Sequence, residues 1–406
     1  MKAVGLVVEY NPFHNGHLYH VGKAKEDAGA DVVIAVMSGS FLQRGEPALV
    51  SKHVRAEMAL QAGVDLVVEL PYGYSVQTAP YFAEGAVRLL TALQCGNLHF
   101  GSEEGDIDRF LQLLAFMKKN DHAYQQQTKE FLKKGYAYPR ASAEAFALLH
   151  GSSTQLSLNE PNNILGFHYV QQIDAQASSM EPLTTLRIAA SYHDENMGEG
   201  TIASATSIRK ALLHKKNVEY VLPASTARLL DHYKQSHGHV HFWEDYFPYL
   251  KYQILTRTPA ELKQIAECEE GLEYRLIETG RQANSFSDWL SRLKTKRYTK
   301  TRLQRLFVHL LTNTTKEEMA TVRSGQENHY IRLLGMSETG KSYLNQNKKS
   351  FAFPIVTRES ELKQFGALAS LDQRATACYW LTKPGALHSE AMKQEFQVTP
   401  LLLKNS

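Results

Sequence analysis

The sequence predicts an α/β fold in which a Rossmann-like unit on a parallel sheet is followed by a mainly helical C-terminal domain. Three observations predict it. The first hundred residues alternate short β-branched runs with amphipathic segments. The runs are continuously apolar, as in strands covered by helices on both faces. Beyond residue 215 the apolar spacing is helical.

Ala3–Val8 reads as the first strand, and a helix follows over about 17–28. D-V-V-I-A-V-M (31–37) is the second strand, a helix runs through 52–62, and D-L-V-V-E-L (65–70) is the third strand. A helix lies near 82–93, and L-H-F (98–100) is a short fourth strand. Residues 106–150 read as helical throughout. T-T-L-R-I (184–188) returns a strand to the sheet before a helix start at S-A-T-S-I-R-K-A-L-L (204–213). Pro223 and the polar, histidine-rich stretch 231–241 mark a linker. The expected division is therefore 1–215 and 216–406, with no internal repeat and no low-complexity tract.

At 406 residues the chain is long enough for two or three domains, and 43% hydrophobic with 21% charged residues is an ordinary globular balance. A net charge of +3 does not by itself imply a nucleic-acid binder, so the distribution of charge matters more than its sum. Cys95, Cys268 and Cys378 are far apart and odd in number. They suit neither a disulfide framework nor a thiolate zinc site, and they fit a reducing cytoplasm. The start lacks a signal-peptide pattern and no 18-residue apolar run occurs, so a soluble cytosolic protein is expected.

The first β→α loop, within E-Y-N-P-F-H-N-G-H-L-Y-H (9–20), is where an open α/β sheet binds ligand. A helix opening at Gly16 or His17 presents free N–H groups and a positive dipole end to an anion such as phosphate. Gly16 allows close backbone approach, Pro12 stiffens the loop, and Asn11 or Asn15 caps or bonds locally. His14 and His17, three apart, project toward one ligand and can donate N–H bonds to phosphoryl oxygens. Without the preceding buried strand, H-x-x-H would read as surface histidines in a turn.

H-N-G-H in this position resembles the HIGH signature of the nucleotidyltransferase superfamily. S-A-T-S-I-R (204–209) resembles its second signature, with Ser207 and Arg209 facing the triphosphate. The longer strings V-V-E-Y-N-P-F-H-N-G-H-L-Y-H, S-G-S-F-L-Q-R-G-E-P-A (38–48), E-P-N-N-I-L-G (160–166) and K-R-Y-T-K-T-R-L-Q-R (296–305) look like the bacterial tRNA(Met) cytidine acetate ligase family, across most of the chain.

That resemblance implies a Rossmann-like nucleotidyltransferase domain over 1–215 that activates acetate with ATP as acetyl-adenylate. The acetyl group then passes to N4 of the wobble cytidine (C34) of elongator tRNA(Met). It implies ATP contacts from Val7, Val8, Glu9, Tyr10, Asn11, Pro12, Phe13, His14, Asn15, Gly16, His17, Leu18, Tyr19 and His20, and from Gly101, Asn162 and Arg187. His14, His17, Ser207 and Arg209 are the expected catalytic set, with Mg²⁺ bridging phosphates. Val8 stands where a smaller residue is expected, and His168 where an acid is.

Read from the residues alone, Gly101 closes a strand where a base or ribose can slide against backbone, and Arg187 ends another with a fixed charge. The segment R-L-K-T-K-R-Y-T-K-T-R-L-Q-R (292–305) concentrates cations: Lys294, Lys296, Arg297, Lys300, Arg302 and Arg305 form a candidate tRNA surface, with Tyr298 to stack on a base. Gln43-Arg44 in the loop 38–52 suggests a lid or an acceptor-end contact, against a plain solvated loop.

Two patterns are read as decoys. G-M-S-E-T-G-K-S (335–342) matches a P-loop letter for letter, but too little chain follows for a P-loop domain. His237, His239 and His241 alternate like zinc ligands, yet a polar linker is the simpler reading. Two rivals remain: an adenylyltransferase or acid–amine ligase on a small molecule, and a non-catalytic tRNA-binding protein.

Overall fold

A computed structural model describes residues 1–136, 138–150, 156–158, 160–187, 200–325, 327–383 and 385–404. Its strands are β1 (Ala3–Val8), β2 (Val32–Ser38), β3 (Leu66–Leu70), β4 (Asn97–Ser102), β5 (Glu181–Leu186), β6 (Ile331–Ser337), β7 (Ile355–Val356) and β8 (Leu401–Leu403). They form one sheet in the order β5-β4-β1-β2-β3-β6-β7, with β8 also paired to β6. The first five strands run parallel, as their apolar character requires, and every residue of β2 and β3 is buried. The chain winds outward from β1 in both directions, so the order reverses between β1 and β4. A crevice opens there at the carboxyl ends of the strands.

The fifth strand starts earlier than 184–188, at Glu181, and Ile188 lies outside the described residues. Residues 106–150 are two helices, Ile107–Lys133 and Tyr138–His150, rather than one.

A division at residue 215 does not separate two cores. Helices dominate from Ala224–His237 to Lys316–Arg323, but β6 then lies antiparallel against β3 and covers what would otherwise be a bare edge. Buried ion pairs lock this returning segment to the sheet. Lys52 Nζ lies 3.0 Å from Glu69 and 3.1 Å from Glu395, and the Asp372 carboxylate accepts from the Tyr72 N–H and the Tyr330 hydroxyl. Burial outweighs those bonds at Asp372 and pushes its carboxyl up to about 8.

The expected linker 231–241 is also structured. Helix Ala224–His237 runs into it, and His241, 1% exposed, has one ring nitrogen 2.9 Å from the Tyr233 hydroxyl and the other 2.9 Å from that of Tyr246. The Lys383 ammonium bonds the carbonyl of His237, so the three histidines sit beside a cation. No group of three or more His, Cys, Asp or Glu among the described residues is placed to hold a metal.

The P-loop lookalike is the end of β6 running directly into helix Glu338–Asn347. A Cβ on Gly340 would lie 1.9 Å from the Asp65 carbonyl oxygen, so this glycine permits helix–strand contact rather than phosphate access. Lys341 bridges to Glu338 at 3.5 Å. Gly340→Ala is therefore expected to destabilise by about 1–3 kcal/mol through overpacking, seen as a lower urea midpoint. Lys341→Ala is expected to leave ATP affinity unchanged in an equilibrium titration.

Candidate active site

The motif's first half is not helix but a tightly held turn. Tyr10 takes a positive φ of 49° and is buried against Phe13 and His17, with ring centroids 4.6 and 5.0 Å away. Helix Asn15–Ala28 then begins one residue before Gly16, because His14 itself caps it. The Gly16 N–H donates to His14 Nδ1 at 3.1 Å, and the His14 N–H donates to His17 Nδ1 at 3.3 Å. This reciprocal arrangement is a capping box made of two imidazoles.

The cap sets the chemistry of both rings. Each Nδ1 accepts, so the neutral ring carries its proton on Nε2. Burial pushes the His14 pKa down to about 3, helped by the Arg187 and Arg209 charges. Burial likewise holds His17 well below 6.5, followed by the charges of His14 and Arg187. The rings stack at 3.7 Å and present two neutral N–H donors side by side. His20 is a third neutral ring, pushed down to about 3 by burial, and it bonds His99 on β4 at 3.0 Å.

Around this pair the structure assembles most of the residues read from the sequence. Asn15 Nδ2 donates to the Thr201 carbonyl at 2.8 Å, tying the second signature to the first. Helix Ala205–Leu213 starts there with Ser204 as its cap. Arg187 follows β5, and its Cγ lies 3.3 Å from where a Cβ on Gly101 would be, so the arginine stem lies across the end of β4. Asn162 sits one position into helix Pro161–Ala175 and donates to Glu103, whose other oxygen accepts from the Asn163 N–H at 2.9 Å.

Several of the expected site residues also have partners within the protein or lie on other faces. Ser207 is 3% exposed and its hydroxyl donates to the Ser204 carbonyl at 2.8 Å, so its side chain serves the cap. Thr206, one residue earlier, is the exposed hydroxyl of that turn. Arg209 donates to Glu46 at 2.6 Å and to the Asn11 carbonyl at 3.0 Å, so an incoming phosphate must share it. Leu18 and Tyr19, 43% and 38% exposed, are on the outer face of their helix, while Val8 is a core strand residue and Val7 is half-buried against the core.

The loop 38–52 is neither lid nor solvated loop. The Gln43 N–H donates to Glu9 at 2.8 Å, its side chain donates to the Gln77 carbonyl at 2.9 Å, and the Leu49 N–H donates to Asn11 Oδ1 at 2.7 Å. Gly45, at φ 71°, lets the loop turn where a side chain would meet the backbone of Gln304 and Arg305. Beneath it, fully buried Arg55 donates to the carbonyls of Glu9, Ser38, Gly39 and Val50. Sequence reading missed Glu9's tie to Gln43, and it missed Glu46, Arg55 and Glu103; only Glu46, inside the quoted R-G-E-P-A, carried a local signal.

The basic segment is broken, not one helix. Residues 294–299 form a turn between helices Phe286–Leu293 and Lys300–Leu311. Tyr298 is 7% exposed and its hydroxyl donates to the Glu270 carbonyl at 3.0 Å, which removes it as a stacking platform. Arg305 is 8% exposed and held by Glu267 at 2.6 Å, so it too is withdrawn from the surface. Arg297 pairs with Glu270 at 2.8 Å, and Arg302 lies over the Tyr298 ring at 5.3 Å. Lys294, Lys296 and Lys300 are exposed, and the Lys300 charge acts on Glu46 beside Arg209. The cations thus begin beside the loop 38–52.

A Rossmann-type crevice with paired imidazoles at a helix start defines a nucleotidyltransferase class. The family model described as HIGH Nucleotidyl Transferase matches residues 1–395. The tRNA(Met) cytidine acetate ligase of Halalkalibacterium halodurans is 50% identical over 99% of this chain and 97% of its own, and that of Bacillus subtilis 49% identical over the same shares. The chain belongs to the tRNA(Met) cytidine acetate ligase family of HIGH nucleotidyl transferases. Crystal structures of Thermotoga maritima TmcAL, 33% identical and covering all of both chains, superpose with a TM-score of 0.92 for an apo form and 0.90 for a form bound with alpha-thio ATP.

Histidines buried as neutral rings predict acid sensitivity. An unfolded His14 takes up a proton near 6.5, whereas the folded ring resists it to about 3. Between those values the unfolded chain binds more protons, so stability falls as pH falls. Urea midpoints measured from pH 7 to 4 are expected to drop, and His14→Gln to reduce the slope by up to one proton.

Proposed function

We propose that this chain activates acetate with ATP as acetyl-adenylate and transfers the acetyl group to N4 of the wobble cytidine of elongator tRNA(Met). The observation that carries the reading is the capped pair of neutral imidazoles at the β1 carboxyl edge, in a chain that matches ligases of that name from end to end.

An acetate oxygen attacks the α-phosphorus, the bond to the bridging oxygen breaks, and pyrophosphate leaves. His14 and His17 donate their Nε2–H groups to phosphoryl oxygens as charge moves onto them, while Arg187 and Arg209 supply fixed positive charge. The unpaired N–H groups at the start of helix Ala205–Leu213 add a second anion site. The cytidine amine then attacks the acetyl carbon, the carbon–oxygen bond to AMP breaks, and the nitrogen loses a proton. Both steps need positioning and electrostatics, and neither needs a covalent nucleophile.

Mg²⁺ would supply Lewis-acid charge to the ATP phosphates, and Arg187 and Arg209 would share the neutralisation of those phosphates with it. Lys294, Lys296 and Lys300, with Arg297 and Arg302 shared between glutamates and solvent, offer the tRNA backbone a cationic approach beside the ATP site. The three cysteines are free, in keeping with work in the cytosol.

ATP–pyrophosphate exchange should require acetate, and exchange driven only by a phosphomonoester would overturn the reading. His17→Ala is expected to lower that exchange by roughly 10²–10³, the scale of a lost oxyanion donor, with tRNA affinity unchanged. Mass spectrometry of tRNA incubated with protein, ATP and labelled acetate should place the label on the wobble cytidine.

A further inference from the structure

The helical region carries a groove that the reaction above does not use. It is an open groove of about 500 Å³ that runs along helix Leu272–Gln282 where that helix meets the corner at Arg257. Tyr274, Ile277, Glu278, Arg281 and Gln282 line it from one face of the helix, and Arg257 closes the other side. Tyr274 is 66% exposed. Its ring has no aromatic or hydrogen-bonded partner among the described residues, and neither has the Arg281 guanidinium a carboxylate.

The composition of the groove suits one unpaired nucleotide better than a protein segment. Tyr274 supplies a ring face for a base, Glu278 and Gln282 supply acceptors for exocyclic amines, and Arg257 and Arg281 flank them as phosphate partners.

Its location points the same way. Gly271 precedes the helix, and Glu270 before it accepts from the Tyr298 hydroxyl and pairs with Arg297. Tyr274 is one turn further on, so the groove lies just beyond the turn that carries Lys294, Lys296 and Arg297. We infer that this groove holds an unpaired nucleotide of the tRNA substrate, stacked on Tyr274 and flanked by Arg281. The inference rests on the proposed tRNA substrate.

The test is equilibrium binding of full-length elongator tRNA(Met) transcript to the full chain and to Tyr274→Ala, Tyr274→Phe and Arg281→Glu variants, each checked for an unchanged unfolding midpoint. Tyr274→Ala should weaken binding about tenfold, the scale of one lost base stack, and Tyr274→Phe should restore it. Arg281→Glu should weaken binding and lower the slope of log affinity on log salt by about one. Wild-type binding in both the Ala and Glu variants would overturn the inference while leaving the proposed function standing. Failure of the wild-type chain itself to bind the transcript would overturn the function, and the groove's role with it.

Discussion

A buried guanidinium with only carbonyl partners holds the carboxyl edge of this sheet in shape. Arg55 ends the reach of β1 at Glu9, of β2 at Ser38 and Gly39, and of the following loop at Val50. These are chain ends where strand pairing has stopped, so their carbonyls need donors. Arginine is suited to the task because its planar fork serves several acceptors at once, where lysine is a point charge. Burial pulls its pKa down only to about 10, so it stays charged at neutral pH and biases the edge toward anions. Everything at the site, from the Tyr10 turn to the packed loop 38–52, is laid over this support.

In the proposed reaction, two kinds of group on that support would divide the labour toward a phosphate. The imidazoles are neutral and directional, since the reciprocal cap fixes which nitrogen carries the proton. Two imidazolium rings stacked at 3.7 Å would repel, and the nearby arginines make protonation harder still. Charge comes instead from Arg187 and Arg209, whose stems or heads are anchored at Gly101 and Glu46. Aim is supplied by one set and field by the other, so neither has to be desolvated as a free cation next to its neighbours.

Much of this was legible beforehand, because parallel strands write themselves as apolar runs and the first crossover carries a distinctive string. β1 to β4 and the paired histidines needed no tertiary knowledge. What escaped notice depends on contacts distant in sequence. The run Ile331–Ser337 is less apolar than β3 and overlaps a P-loop spelling whose second glycine makes room for the Asp65 backbone. Tyr298 and Arg305 look like RNA contacts in a one-dimensional list of cations. Glu270 and Glu267, some thirty residues upstream, neutralise that reading. Ser207 looked like a phosphate ligand until its own turn claimed the hydroxyl.

The packing of Gly45 against the backbone of Gln304 and Arg305 bears on how this architecture can be taken apart. The loop that borders the nucleotide crevice is moulded on the first turns of a helix more than 250 residues downstream, and β6 seals the edge of β3. Neither half is an excisable module. A truncated N-terminal fragment would lose the wall of its own crevice, and grafting this helical region onto another Rossmann enzyme would require transplanting the loop 38–52 with it.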